Sequence, residues 1–189
     1  MMNKKLVVLD RDGVINVDSD AFIKSPDEWH PIAGSLEAIA RLNQAGYRVV
    51  VASNQSGLGR GLFDMAMLND IHAKMHRAAA AVGARIDAVF FCPHVSADQC
   101  DCRKPRPGML NDIVSRYDMA GLRIPLVGDA LRDLQAAQAC ETACFSPWLV
   151  LTGKGQRTAA AGGLPAGTRV VADLHAFALD FLAEQSVET

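Results

Sequence analysis

No block of like charge runs through this chain: its 189 residues carry a formal net charge of −2, with Lys and Arg dispersed among Asp and Glu. The basic stripe expected of a nucleic-acid binder or a polybasic membrane binder is therefore missing, whereas a small anionic substrate can still be served by local cations. No apolar run approaches the roughly 20 residues that span a bilayer. The first one, ending at Leu9, is broken by charge and lacks a cleavage site, so it reads as a strand and not as a signal peptide. A soluble, cytoplasmic protein is expected, with no membrane and no nucleic acid among its partners. Cysteine is sparse and odd in number: five cannot all pair, which argues against a disulfide framework. Half of the residues are apolar, enough for one substantial core but short for two, so residues 1–189 are expected to form a single domain.

Short apolar runs recur at Lys5 to Leu9, Arg48 to Ala52, Ile86 to Phe91 and Ile124 to Val127, then less sharply at Ala143 to Leu151 and Arg169 to Ala172. Continuous apolar runs of this length suit strands buried on both faces. Between them, Gly34 to Ala45, Phe63 to Val82, Met109 to Tyr117 and Leu131 to Cys140 carry helical periodicity, and Asp173 to Leu182 looks helical as well. The alternation predicts an α/β fold: a doubly wound, mainly parallel sheet with helices on both faces and ligands bound beyond the carboxyl ends of the strands. Two irregular excursions, Asn16 to Pro31 and Cys92 to Pro107, are too short for a separate cap domain, which implies an open site closed by loops. Gly153 to Gly167 reads as surface connection.

The densest chemistry lies in Leu9-Asp10-Arg11-Asp12-Gly13, where a strand delivers two carboxylates into a glycine turn. Alternate strand residues point to one face, so Asp10 and Asp12 share a side, and such a pair can bind a metal and attack phosphorus. Alone, the pair could equally cap the next turn. A second cluster, Cys92-Pro93-His94 with Cys100-Asp101-Cys102, offers three thiolates and one imidazole within eleven positions, a closed tetrahedral set for structural Zn²⁺. The loop is too short and polar to build its own core, so zinc is expected to order it and to hold Arg103 and Lys104 in place. Cys140 and Cys144 read as buried apolar thiols, and His72 with His76 as an exposed helix face.

Leu9–Asn16 (LDRDGVIN), Ser53-Asn54-Gln55, Arg103-Lys104-Pro105 and Gly128-Asp129 followed by Asp133 together resemble the four motifs of the haloacid dehalogenase superfamily. With SNQSGLGRG, CPH, CRKPRPGM and GDALRDLQAA, the chain is similar to the D-glycero-D-manno-heptose 1,7-bisphosphate 7-phosphatases over roughly its first four fifths. It departs from that pattern at Asp20 and Ala21, where a glycine and an aromatic are expected, and at Ala130, where relatives carry a longer polar residue.

The resemblance implies Mg²⁺ held by the carboxylates of Asp10 and Asp129 and by the Asp12 backbone carbonyl, which leaves the Asp12 side chain free. It implies Asp10 as nucleophile, Asp12 as general acid and base with a raised pKa, and Ser53 and Lys104 on the transferring phosphoryl group. Asp133 is expected behind them, orienting its neighbours. Asp18, Ser19, Asp20, Asn54, Gln55, Ser56, Arg60 and Arg103 are the candidates for the sugar or its remote phosphate. The implied activity is removal of the 7-phosphate of a heptose bisphosphate by a monomeric enzyme. A histidinol phosphate phosphatase is the alternative, and a non-catalytic phosphate-ligand binding protein the alternative of another class.

Overall fold

The computed structural model describes residues 4–187. Six strands, β1 (Leu6–Leu9), β2 (Arg48–Asn54), β3 (Ala88–Cys92), β4 (Arg123–Gly128), β5 (Cys144–Val150) and β6 (Arg169–Val171), form one sheet in the order β3-β2-β1-β4-β5-β6. Every pairing is parallel, as in Leu9 opposite Val51 on one side and Val127 on the other. The strand order reverses at β1, so the carboxyl ends of β1 and β4 flank the crevice where such sheets bind ligands.

The side-chain period of two divides the interior. Val7 and Leu9 of β1, with Val49 and Val51 of β2, face a core closed by helices α1 (Ser35–Gln44), α3 (Met65–Ala81) and α7 (Leu174–Val187). Leu6 and Val8, with Val50 and Ala52, face a second core under α4 (Gly108–Tyr117) and α5 (Leu131–Ala139). Both faces of β1 are covered, which explains its unbroken apolar run. The helix limits are chemical: Asp64 caps α3 by accepting from the Met67 amide at 2.8 Å. Gly46, at φ +86°, reverses the chain after α1 so that the Tyr47 amide reaches the Leu42 carbonyl at 2.9 Å.

A four-residue helical turn, α2 (Ser56–Gly59), follows β2. The expected connection from Gly153 to Gly167 instead contains a helix, α6 (Gly155–Ala161). Its register is set by packing and not by propensity: a Cβ on Gly155 would lie 1.7 Å from the Val150 carbonyl. Thr158 Oγ1 also donates to the Asp129 carbonyl at 2.9 Å, so α6 is tied to the end of β4. The excursion after β1 folds back on the body through buried Ile23 and Trp29, with the Val17 amide on the His30 carbonyl and the Ile32 amide on the Ile15 carbonyl, both at 2.9 Å. No helix among the described residues is long and apolar enough to cross a membrane.

Candidate active site

Strand β1 stops at Leu9, and Asp10 is fixed beyond it by its amide on the Val127 carbonyl at 2.9 Å. The side-by-side expectation for Asp10 and Asp12 assumed a continuing strand; past Leu9 the chain turns, and the two carboxylates enter different networks. Asp10, Asp129 and Asp133 bring their carboxylate oxygens within 4.8 Å of one another, all three buried. Lys104, only 2% exposed, answers them: its Nζ lies 3.1 Å from Asp10 Oδ1, 2.6 Å from Asp133 Oδ1 and 2.6 Å from the Ala52 carbonyl that it donates to. Two ion pairs and one hydrogen bond thus hold the ammonium. Burial alone would depress the Lys104 pKa, but the charges of Asp10 and Asp133 hold it above its ordinary value.

The cluster remains short of positive charge. Burial pushes Asp10 up to about 6, with Asp133 and Asp12 adding to the rise and Lys104 and Arg132 opposing it. Asp129 goes to about 7, first by burial and then by the charges of Asp10 and Asp133. Asp129 Oδ2 accepts from the Lys154 amide at 2.7 Å, but its buried Oδ1 has no hydrogen-bond partner among the described residues. An unsatisfied buried carboxylate oxygen facing a second carboxylate is expensive unless a cation joins them. Hard oxygen donors of this kind fit Mg²⁺. Asp133 completes the arrangement, with Oδ2 accepting from the Ala130 amide at 3.1 Å at the start of α5 while Oδ1 pairs with Lys104.

Glycine makes room for Asp129. A Cβ on Gly13, at φ +84°, would fall 2.1 Å from Asp129 Oδ2, and one on Gly153 would fall 2.3 Å from the same atom. Gly13→Ala should therefore cost about 2 kcal/mol from backbone strain alone, lowering the thermal midpoint by roughly 4–8 °C. Calorimetry showing a mutant that melts with the wild type would mean that the turn moves aside freely.

The Asp12 side chain, which the expected ligand set leaves free of the metal, is held by hydrogen bonds on both oxygens. Its Oδ1 accepts from Arg11 Nε at 3.0 Å and Asn16 Nδ2 at 2.9 Å, its Oδ2 from Arg11 Nη2 at 2.9 Å and Gln55 Nε2 at 3.0 Å. Burial raises its pKa, but the Arg11 charge and these hydrogen bonds prevail and hold it below the usual carboxylate value. The raised pKa expected of a proton donor is thus corrected for the free protein. Behind the pair, Arg11 Nη1 faces His72 Nε2 at 3.4 Å. His72, expected on an exposed helix face, is buried beside Phe91, and burial followed by the Arg11 charge depresses its pKa to about 4.

The remaining candidates divide between the site and its scaffold. Ser53 Oγ accepts from Gln55 Nε2 at 2.7 Å, and both residues are buried, as is Ser56 at the start of α2. Asn54 is committed to the backbone of Lys104, donating to its carbonyl at 2.9 Å and accepting from its amide at 3.1 Å. Arg103 Nη1 donates to the His94 carbonyl at 3.2 Å. Arg60 lies over the Phe22 ring, 5.8 Å from its centroid. Ser19 Oγ accepts from the Ala21 amide at 3.1 Å within its own turn. Asp18 pairs with Lys154 Nζ at 2.8 Å, with Asp20 at 3.9 Å from the same atom. Together with Arg157, these three line a cavity of about 400 Å³ beside Asp129.

Arg11 and Lys154 escape the sequence reading. The signal for Arg11 was a cation between two aspartates; the signal for Lys154 was its place in a Gly-Lys-Gly turn.

In the second cluster, Cys92 Sγ lies 3.6 Å from His94 Nδ1 and 3.5 Å from Cys100 Sγ, while Cys102 Sγ lies 3.4 Å from His94 Nδ1 and 3.5 Å from Cys100 Sγ. Four ligands at about 2.0–2.3 Å from a tetrahedral centre have edges of this size, so the donors fit Zn²⁺. Cys140 is buried as expected, whereas Cys144 is exposed at the start of β5.

A family model for haloacid dehalogenase-like hydrolases matches residues 4–141. The chain is 61% identical over 180 residues to the D-glycero-beta-D-manno-heptose-1,7-bisphosphate 7-phosphatase of Bordetella bronchiseptica, covering 95% of this chain and 99% of that protein. It is 50% identical to the enzyme of the same name from Pseudomonas aeruginosa, covering 94% and 97% of the two chains. Among solved structures, the B. bronchiseptica D,D-heptose 1,7-bisphosphate phosphatase complexed with magnesium and phosphate superposes with a TM-score of 0.90 at 62% identity, covering 95% of this chain and 99% of that one.

Proposed function

Because the chain belongs to the haloacid dehalogenase-like hydrolase family, we propose that it is a Mg²⁺-dependent phosphatase acting on D-glycero-β-D-manno-heptose 1,7-bisphosphate. It removes the 7-phosphate through an aspartyl phosphate on Asp10, in the supply of ADP- or GDP-heptose precursors. The observation that carries the mechanism is the buried triangle of Asp10, Asp129 and Asp133, short of one cation and braced by Lys104. The substrate and its anomer follow the relatives' names. The site residues come from strand ends, loops and the first turns of α2 and α5 along one edge of one sheet, which supports a monomeric, single-domain enzyme without a separate cap; we place it in the cytoplasm.

Mg²⁺, held by the Asp10 and Asp129 carboxylates and the Asp12 carbonyl, would neutralise phosphate charge that otherwise repels a carboxylate nucleophile. Asp10 attacks phosphorus; the P–O bond to C7 breaks as the Asp10 O–P bond forms, and the departing oxygen takes a proton from Asp12. Asp12 then removes a proton from the water that hydrolyses the acyl phosphate and returns Asp10 to its starting state. The ionised Asp12 of the free protein is ready for this second half; the first half needs it protonated as substrate arrives.

Lys104 fixes Asp10 directly, and Asn54 fixes the Lys104 backbone, so the lysine's first task is to aim the nucleophile. Ser53 and Gln55 line the phosphoryl pocket beside it. Arg60, Arg103 and the Asp18–Asp20–Lys154 group face the rest of the sugar, with Ser19 shaping the turn that carries the two aspartates.

Phosphate release with Mg²⁺ should be measured on both heptose bisphosphate anomers, histidinol phosphate and fructose 1,6-bisphosphate. The expected result is Mg²⁺-dependent turnover with preference for the β-heptose ester. Turnover of histidinol phosphate alone would replace the substrate and keep the chemistry, whereas no turnover on any ester would replace both.

A further inference from the structure

Arg11 is a fully buried arginine, and the mechanism above gives it no step. Its fork meets one carboxylate edge-on, with Nε on Asp12 Oδ1 at 3.0 Å and Nη2 on Asp12 Oδ2 at 2.9 Å. Bidentate pairing of this kind fixes direction as well as charge. The fork is itself held from behind: Nη2 also donates to Gln55 Oε1 at 3.2 Å, and Nη1 faces His72 Nε2 at 3.4 Å. A guanidinium has only protons to offer, so His72 must accept through Nε2 and carry its own proton on Nδ1. Burial, which keeps His72 neutral, supplies that acceptor. Asn16 and Gln55 fill the two remaining lone-pair positions of Asp12. The carboxylate is therefore held from four directions, more than charge neutralisation alone requires.

We propose that Arg11 is the positioning residue for Asp12: its fork, backed by His72 of α3 and by Gln55, holds the Asp12 carboxylate where it exchanges protons with the leaving oxygen and the incoming water. The inference rests on the phosphatase reading. It extends the working part of the protein to a helix that carries none of the four motifs.

Leaving-group dependence separates this role from a structural one. A sugar alkoxide needs a proton as it departs, whereas p-nitrophenolate does not. Arg11→Lys keeps the charge and loses the fork. It should lower kcat/KM for the heptose bisphosphate by about 30-fold or more, within the range of general acid–base contributions, and change kcat/KM for p-nitrophenyl phosphate by less than about 3-fold. In an Asp12→Asn background the same substitution should cost less than about 3-fold on the sugar ester, because the group that it positions is gone. Zinc content and thermal midpoint would be checked on each protein. Should Arg11→Lys fail to fold, His72→Leu provides the same ester comparison with a smaller loss, and His72→Gln should restore the acceptor and much of the rate. Equal losses on both esters, or an undiminished loss in the Asp12→Asn background, would overturn the inference alone. Wild-type protein that hydrolyses neither ester would overturn the phosphatase reading and this inference with it.

Discussion

Asp10→Asn is expected to lower kcat by more than about 10⁴-fold, the order of loss seen when a covalent nucleophile is removed, while the fold, the zinc content and the thermal midpoint are kept. The two halves of this expectation have separate causes. An amide at position 10 cannot form the acyl phosphate, and no neighbour can substitute: Asp133 is closed by Lys104 and the Ala130 amide, and Asp12 by the Arg11 fork. The fold survives because Lys104, the group that removal of a buried partner would normally strand, keeps Asp133 at 2.6 Å and the Ala52 carbonyl at 2.6 Å. Losing one of three carboxylates that lie within 4.8 Å of one another also relieves repulsion, so the midpoint of the Mg²⁺-free protein should hold or rise. Acid-quenched wild-type protein should carry phosphate on Asp10, and the mutant none. Turnover within about 100-fold of wild type would place the nucleophile elsewhere, and a clear drop in midpoint would make Asp10 part of the scaffold.

The parts of this site that are legible in the sequence are those fixed by strand ends. Asp10, Ser53 and Asp129 each follow or close a buried apolar run, and parallel topology brings such ends together whatever the intervening helices do. The Cys92–Cys102 cluster is legible because its ligand chemistry is local. What escapes depends on contacts between distant segments. His72 looks like an exposed helical residue because its partner, Arg11, is 61 positions away and buried only by the fold. Arg11 reads as a spacer between two aspartates because strand alternation through Asp12 runs three residues past the end of β1 at Leu9. The helix Gly155–Ala161 is hidden in a stretch rich in Gly and Ala because tertiary ties set it, through Thr158 on the Asp129 carbonyl and the close approach of Gly155 to Val150. It delivers the Lys154 amide to Asp129, and composition alone carries no trace of that.

If Cys92, His94, Cys100 and Cys102 hold Zn²⁺, as their donor set fits, stripping it should abolish more than about 99% of turnover without unfolding the sheet, and added Zn²⁺, not added Mg²⁺, should restore it. The two candidate metal clusters share no residue, so the effect would travel through the chain between them, and the route is short. Cys92 closes β3, and its carbonyl accepts from the Gln55 amide at 2.7 Å, while the Pro93 carbonyl accepts from the Gly59 amide at 3.0 Å. The Arg103 side chain is tied to the His94 carbonyl, and the Asp101 carbonyl receives the Gly108 amide at the start of α4 at 3.0 Å. Lys104 follows Cys102 by two residues and has its backbone clamped by Asn54. Removal of the metal frees four buried or half-buried ligands whose mutual packing supplies little order, since structural zinc is worth about 10–16 kcal/mol of apparent binding free energy in small zinc modules. Residues 92–107 should then lose hydrogen-exchange protection first, residues 55–60 next, and Asp10 its lysine last, while the cores on either side of β1 remain protected. Full turnover in demonstrably zinc-free protein would show that the loop orders itself. Loss of protection throughout the sheet would show instead that zinc supports the whole fold and not this loop.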